Sequence, residues 1–416
     1  MRALLTFERD TRVVSLDDGL EAFEPSFVLG TGEVLGKAPA VEVLRVPYRG
    51  QQLEGSALSE QLRRWADAGV IEQSFADAVR RVSEHPDWLS LPGRRVALVG
   101  AGAAIGPLEP LCSWGADVVA IDLPLRAVWE RVEKLARQGA GSVRMPLMAD
   151  GSTGVDLLHM LPEVRAWLDR ATAGVELVLG MHAYADGGDH VRVTGAFDAL
   201  ATDALQRRPS TTLSFLATPT DAFVVPEEVV ARSRAAYGKR RLRRIVQAPA
   251  KGLSGNRLFA PAYRDGIPVA DALVKQQGPN YAIAKRLQRW RGIVTNAAGN
   301  GISFNVAPAT WTRSVTNNRI LAAAYAGAHH FGIEIFEPAT TRVLMAAMLV
   351  HDVHQPSLPR EDPEALFSDA AAHGGLWSAA YEPRSALGIA ALAGLPRALF
   401  APKEVPALAG NDARDV

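Results

Sequence analysis

The segment Arg95-Val-Ala-Leu-Val-Gly100-Ala-Gly-Ala-Ala-Ile-Gly106 runs from an apolar strand through a glycine turn into the expected start of a helix. Glycines let a backbone bend sharply and come close to a pyrophosphate, whose charge lies against the N–H groups of the helix start. A glycine turn alone is a weak signal, but this one has context. The next apolar run, Ala116-Asp-Val-Val-Ala-Ile-Asp122, ends in an acid about 20 residues on, a spacing that suits a carboxylate accepting from two ribose hydroxyls. The competing role for Asp122 is a helix N-cap before Leu123-Pro124.

Outward from this point, short apolar runs alternate with helical patterns. Val96–Val99, Val118–Ile121, Val143–Met148, Leu177–Leu179, Leu213–Leu216 and Ile302–Val306 have strand length. Ala127–Arg137, Leu157–Arg170 and Ala282–Ala297 read as helices between them. Such alternation predicts an α/β fold, a doubly wound parallel sheet with helices on both faces.

Three stretches fall outside that rhythm. Residues 1–90 read as a small N-terminal α+β extension, with Leu58, Leu62 and Trp65 on one helical face and Phe75, Ala78, Val79 and Val82 on another. The catalytic domain is then 91–416. Residues 226–278 interrupt it as an insertion carrying the basic run Lys239-Arg-Arg-Leu-Arg-Arg244, and residues 356–416 form a closing segment. That basic run either grips a phosphate, as of an acyl thioester arm, or is a solvated face.

Pro279-Asn280-Tyr281-Ala-Ile-Ala-Lys285 sets a tyrosine and a lysine four residues apart at a helix start, on one face. A free phenol, with a pKa of about 10, is a poor base near neutrality. An adjacent ammonium is expected to lower it, which suits proton transfer at a carbinol or carbonyl oxygen while hydride moves to or from nicotinamide.

Together these segments resemble the short-chain dehydrogenase/reductases, a Rossmann-type NAD(P)-binding family, in ordered pieces over residues 94–355. Gly100 and Gly106 hold the outer positions of the family's Gly-x-x-x-Gly-x-Gly turn, Ala104 stands at the middle glycine, and Gly102 and Ile105 lie between. The resemblance implies that Asp122 selects NAD by repelling a 2′-phosphate, with Arg126 leaving NADP open. It implies that Asp150 contacts adenine, against the alternative of a turn before Gly151. Gly180 falls at the end of the fourth strand, where Gly180-Met-His-Ala183 replaces the family's Asn-Asn-Ala-Gly. Thr218 falls near the family's catalytic serine, or simply turns the chain with Pro219. Pro308 and Thr312 resemble the turn beside the nicotinamide, with Ala309 for glycine and Thr312 one residue early. The implied enzyme is an NAD(P)-dependent oxidoreductase acting on an alcohol or carbonyl. Tyr281 would be its acid/base, Lys285 the group that lowers the tyrosine pKa and holds the ribose, and Thr218 the group that orients the substrate oxygen. The substrate is a small molecule, such as an acyl thioester or other apolar carbonyl compound, and the family habit is a homo-oligomer. Two other roles use the same scaffold: a non-redox or transient-redox dehydratase, epimerase or lyase, and a non-catalytic dinucleotide-binding protein.

Composition sets the outer bounds. The 416 residues carry 45 Lys+Arg and 45 Asp+Glu, so no net charge argues for a nucleic-acid partner. At 48% hydrophobic and 22% charged, the chain reads as globular. Its cations are mostly arginine, which points to a GC-rich bacterial genome. Cys112 is the one cysteine, which fits a reducing compartment, and Glu8 interrupts the opening before any leader-like apolar stretch. The runs Ala386–Leu395 and Val343–Val350 fall short of the roughly 18 residues of a membrane span, so a cytoplasmic protein is expected. His351-Asp-Val-His354 and His329-His330 have metal-compatible donors without a full ligand set, and no metal is expected. Trp290 and Trp377 read as core or interface residues.

Overall fold

Seven strands form the central sheet: β1 (Gly30–Leu35), β2 (Arg94–Val99), β3 (Asp117–Ile121), β4 (Ser142–Leu147), β5 (Glu176–Met181), β6 (Thr212–Ala217) and β7 (Ile302–Val306). They stand in the order β7-β6-β5-β2-β3-β4-β1. The computed structural model describes all residues except 1–4, 10, 17, 240–257, 264–265, 274–276, 317 and 399–416. Strands β2 to β7 are parallel, and β1 joins the β4 edge antiparallel, with Gly30 opposite Leu147 and Leu35 opposite Ser142. From β2 onward the spatial order is that of a Rossmann-type doubly wound sheet.

Strand alternation divides the interior into two cores, one on each face. Val96 and Leu98 of β2 enter one, with Val118 and Ala120 of β3; Ala97, Val99, Val119 and Ile121 enter the other. Both faces are covered, so the parallel strands are near-continuous apolar runs, and β7 is buried at all five positions.

The first core is closed by α1 (Gly55–Asp67), α2 (Gln73–Glu84), the short α3 (Leu108–Ser113) and α4 (Arg126–Gln138). The second lies under α5 (Leu161–Ala171), α6 (Gly187–Arg207) and α8 (Gly278–Ala297), which follows α7 (Glu227–Lys239) of the insertion. Helix α9 (Arg319–Gly327) packs against α11 (Pro383–Ala398), and α10 (Pro338–His354) returns to the first core.

The first ninety residues are built into this body. They supply β1, and α1 and α2 bury Leu58, Leu62, Trp65, Phe75, Val79 and Val82 in the same core as β2 and β3. Each such side chain contributes roughly 1.5–3 kcal/mol over its exposed state. The insertion leaves and returns through a two-stranded antiparallel stem, Ala222–Val224 against Val269–Asp271. Residues 240–244 of the basic run lie outside the described residues. Trp377 is core at 1% exposure, whereas Trp290 stands out at 65%. Among the described residues no helix is long and apolar enough to cross a membrane, and no three His, Cys, Asp or Glu residues gather as metal ligands. His351 instead meets Asp352, and His354 stacks on Trp88.

Candidate functional site

In a parallel sheet every strand delivers its following loop to the same edge. Gly100 follows β2, Asp122 follows β3, Asp150 follows β4, Gly180 is the penultimate residue of β5, Thr218 follows β6 and Pro308 follows β7. The direction of strand addition reverses between β2 and β5, which opens a crevice at their carboxyl ends.

The glycine turn sits at that crevice. Gly100 has φ +84°, and a Cβ there would lie 2.3 Å from the backbone nitrogen of Ala183. Its lack of a side chain therefore lets the ends of β2 and β5 close on each other, joined by the His182 N–H donating to the Val99 carbonyl at 2.8 Å. Asp122 reaches across from β3: one carboxylate oxygen accepts from the Gly102 N–H and the other from the Leu123 N–H, each at 2.8 Å. Burial pushes the Asp122 carboxyl up, and the two amide bonds and Arg131 oppose that shift. Arg131 donates to the Gly102 carbonyl at 3.0 Å and Arg342 of α10 to the Ala104 carbonyl at 3.0 Å, so two guanidiniums flank the turn. Ile105 packs on the first core, and Gly106 closes the turn by donating to the Ala103 carbonyl. The helix that follows is shorter than the sequence suggests: α3 starts only at Leu108, behind Pro107, and has six residues.

The second cluster forms where α8 begins, with Pro279 in its first turn. The Tyr281 hydroxyl lies 3.1 Å from the Thr218 hydroxyl, although the two residues are separated by the insertion. Thr218 also meets Thr220 at 3.0 Å, and Gln277 donates to Thr220 at 2.9 Å. One turn along α8, Lys285 donates to the Leu216 carbonyl and the Gln288 side-chain carbonyl, each at 3.0 Å. Its Nζ lies 5.7 Å from the centroid of the Tyr281 ring.

Burial controls the titration of this pair. The Tyr281 phenol is pushed up to about 12 by desolvation, with the Thr218 hydrogen bond opposing it. Lys285 is driven down to about 8 by desolvation, with Asp221 opposing. The tyrosine pKa is thus raised, not lowered as the Tyr–Lys spacing suggests: desolvation of the phenolate dominates, and the Lys285 ammonium donates to Leu216 and Gln288.

Two imidazoles, those of His182 and His190, lie within reach of the Lys285 charge. Both ring nitrogens of His182 are buried without a hydrogen-bond partner among the described residues, as is Nε2 of His190. Desolvation, reinforced by Lys285, holds His182 down to about 3 and His190 to about 4, so both are neutral at physiological pH. The His190 ring stacks on Tyr281, with centroids 5.8 Å apart and planes 18° apart, and Tyr184 leans on His190 at 4.9 Å. No sequence signal links position 190 to 281; only the packing of α6 on α8 joins them.

Four candidates make their contacts apart from these clusters' chemistry. Asp150 accepts from the Ser152 N–H and hydroxyl at 2.9 and 2.6 Å in an exposed turn, which holds its carboxyl below the usual value. Gly180 leaves room for His182, since a Cβ there would lie 2.7 Å from the imidazole Nε2. The Pro308 carbonyl accepts from Thr310, and the Thr312 carbonyl accepts from the Val315 and Thr316 N–H groups that begin the next short helix.

No protein-family model matches this chain, and no curated protein matches it.

Proposed function

We propose that the protein is an NAD(P)-dependent oxidoreductase of the short-chain dehydrogenase/reductase type, acting on a carbonyl or alcohol. The observation that carries this reading is the 3.1 Å contact between the Thr218 and Tyr281 hydroxyls with Lys285 one turn away, at the sheet edge that also carries the glycine turn and Asp122.

The residues present fit a dinucleotide. Asp122 uses one lone pair on each oxygen for the Gly102 and Leu123 amides, and the remaining pairs suit ribose hydroxyls. The Gly100–Gly106 turn, backed by Arg131 and Arg342, suits a pyrophosphate. Asp122 disfavours a 2′-phosphate, and Arg126 is turned to Glu130 at 2.7 Å, so NAD is the proposed cofactor over NADP. When bound, the nicotinamide supplies or takes the hydride.

The chain's own part is proton transfer and positioning. In reduction Tyr281 donates its phenolic proton to the carbonyl oxygen as hydride reaches the carbon; in oxidation it takes the hydroxyl proton as hydride leaves. Thr218 donates to the same oxygen and fixes its direction. With its phenol at about 12, Tyr281 holds its proton throughout the physiological range, which suits the acid's part in carbonyl reduction. The test is to mix purified protein with NADH or NADPH and a panel of ketones and aldehydes and follow the nicotinamide absorbance. Cofactor oxidation that Tyr281→Phe abolishes supports the reading; turnover that survives this substitution refutes the assigned acid.

A further inference from the structure

His190 is 2% exposed, in the first turn of α6. The Ala185 N–H points to its Nδ1 at 3.4 Å, so Nδ1 is the acceptor nitrogen and the ring proton sits on Nε2. That Nε2–H is a buried donor without an acceptor among the described residues. An orphan of this kind is unfavourable for folding, and a site whose ligand takes the bond accounts for it. Its surroundings identify that site, because the imidazole lies nearly parallel to Tyr281 at 5.8 Å, with Tyr184 against it. A neutral N–H on a ring packed against Tyr281 offers one hydrogen bond to a substrate without adding charge.

We infer that His190 is a substrate-binding residue whose Nε2–H donates to a second oxygen of the substrate. The substrate class is then a 1,2- or 1,3-dioxygenated compound, such as a diketone or hydroxyketone, rather than a simple ketone. This inference rests on the oxidoreductase reading only for which oxygen reacts; the binding preference stands apart from turnover.

The experiment measures equilibrium binding of cyclohexane-1,2-dione, cyclohexane-1,3-dione and cyclohexanone by ligand-induced thermal shift and by quenching of intrinsic fluorescence. It uses the full-length protein, His190→Phe and His190→Gln. The wild type should bind at least one dione about tenfold or more tightly than cyclohexanone. His190→Phe keeps a ring against Tyr281 but has no N–H, and should lose that preference while melting no lower than the wild type. His190→Gln, which returns an N–H donor, should regain part of it. Equal binding of all three ketones by the wild type overturns the inference, as does a preference that His190→Phe retains. A His190→Phe melting temperature well below the wild type's would show the imidazole to be structural, and would also overturn it. Failure of the oxidoreductase reading appears separately, as no cofactor oxidation with any of the three.

Discussion

The glycine turn and the Tyr281 pocket lie on the same edge of one sheet, yet they treat their polar groups in opposite ways. In the turn, the Gly102 N–H is held by Asp122, and the Gly102 and Ala104 carbonyls are held by Arg131 and Arg342. In the pocket, His182 and His190 keep buried nitrogens without partners among the described residues, and a phenol and an ammonium are both pushed away from their ordinary pKa values by burial. The first region is organised to keep its shape, and the second holds unused hydrogen-bonding capacity. Substitutions in the turn should therefore cost stability, whereas those in the pocket should cost function with little loss of stability.

Tyr281→Phe offers the sharpest way to break that contrast. Loss of the proton donor should lower turnover by roughly 10²–10⁴-fold. Removing a desolvated hydroxyl should leave the melting temperature close to that of the wild type. If stability falls in step with activity, the pocket is structural and the contrast fails.

Gly100→Ala tests the other side. A methyl group at φ +84°, and 2.3 Å from the Ala183 nitrogen, forces β2 and β5 apart. A destabilisation of about 2–4 kcal/mol is expected in chemical denaturation. A neutral outcome would mean the turn is far more pliable than its hydrogen bonds imply.

The pH dependence separates the two directions of reaction. With Tyr281 at about 12, the phenolate fraction rises about tenfold per pH unit below that value, so alcohol oxidation should climb steadily with pH. Lys285 loses its charge near 8, and carbonyl reduction should decline above that point if the ammonium supports it. The linkage sign is fixed. Lys285 is depressed in the folded state, so between about 8 and the ordinary lysine value the unfolded chain binds more protons, and stability rises with pH. The buried Cys112 thiol, pushed up to about 12, works the other way above the ordinary thiol value, so the readout is a difference: the wild type should gain melting temperature relative to Lys285→Met as pH rises across this window.

Asp150→Ala should have the smallest effect. Its exposed carboxylate serves the Ser152 turn, so a melting temperature close to that of the wild type and unchanged NAD affinity are expected. A tenfold loss of NAD affinity in calorimetry would instead make Asp150 a cofactor contact and extend the site beyond the turn.

The legible parts of this protein are those with local causes. The runs Val96–Val99 and Val118–Ile121 are apolar without alternation because both sheet faces are covered, and that pattern is visible in one dimension. The i, i+4 spacing of Tyr281 and Lys285 places them on one helical face wherever the helix lies. The helix after the glycine turn is less legible: Pro107 caps its late start, Gly115 at φ +85° turns the chain just past its end, and the turn that replaces its first residues is held by Arg342 from more than 200 residues away. The tyrosine pKa is hidden for a related reason, since spacing shows that a lysine is near but not that the phenol is desolvated by the fold around it.

By itself, then, the amino-acid order determined the strands, the amphipathic helices, the glycine turn with its following acid, and the facing of Tyr281 and Lys285. Each depends on periodicity or on backbone chemistry within a few residues. Only the tertiary structure decided that β1 from the N-terminal stretch completes the sheet, that Thr218 meets Tyr281 across the insertion, and that His190 lies against the same phenol. Those pairings follow from burying two apolar faces of one sheet at once, a condition on the whole chain that no local pattern records.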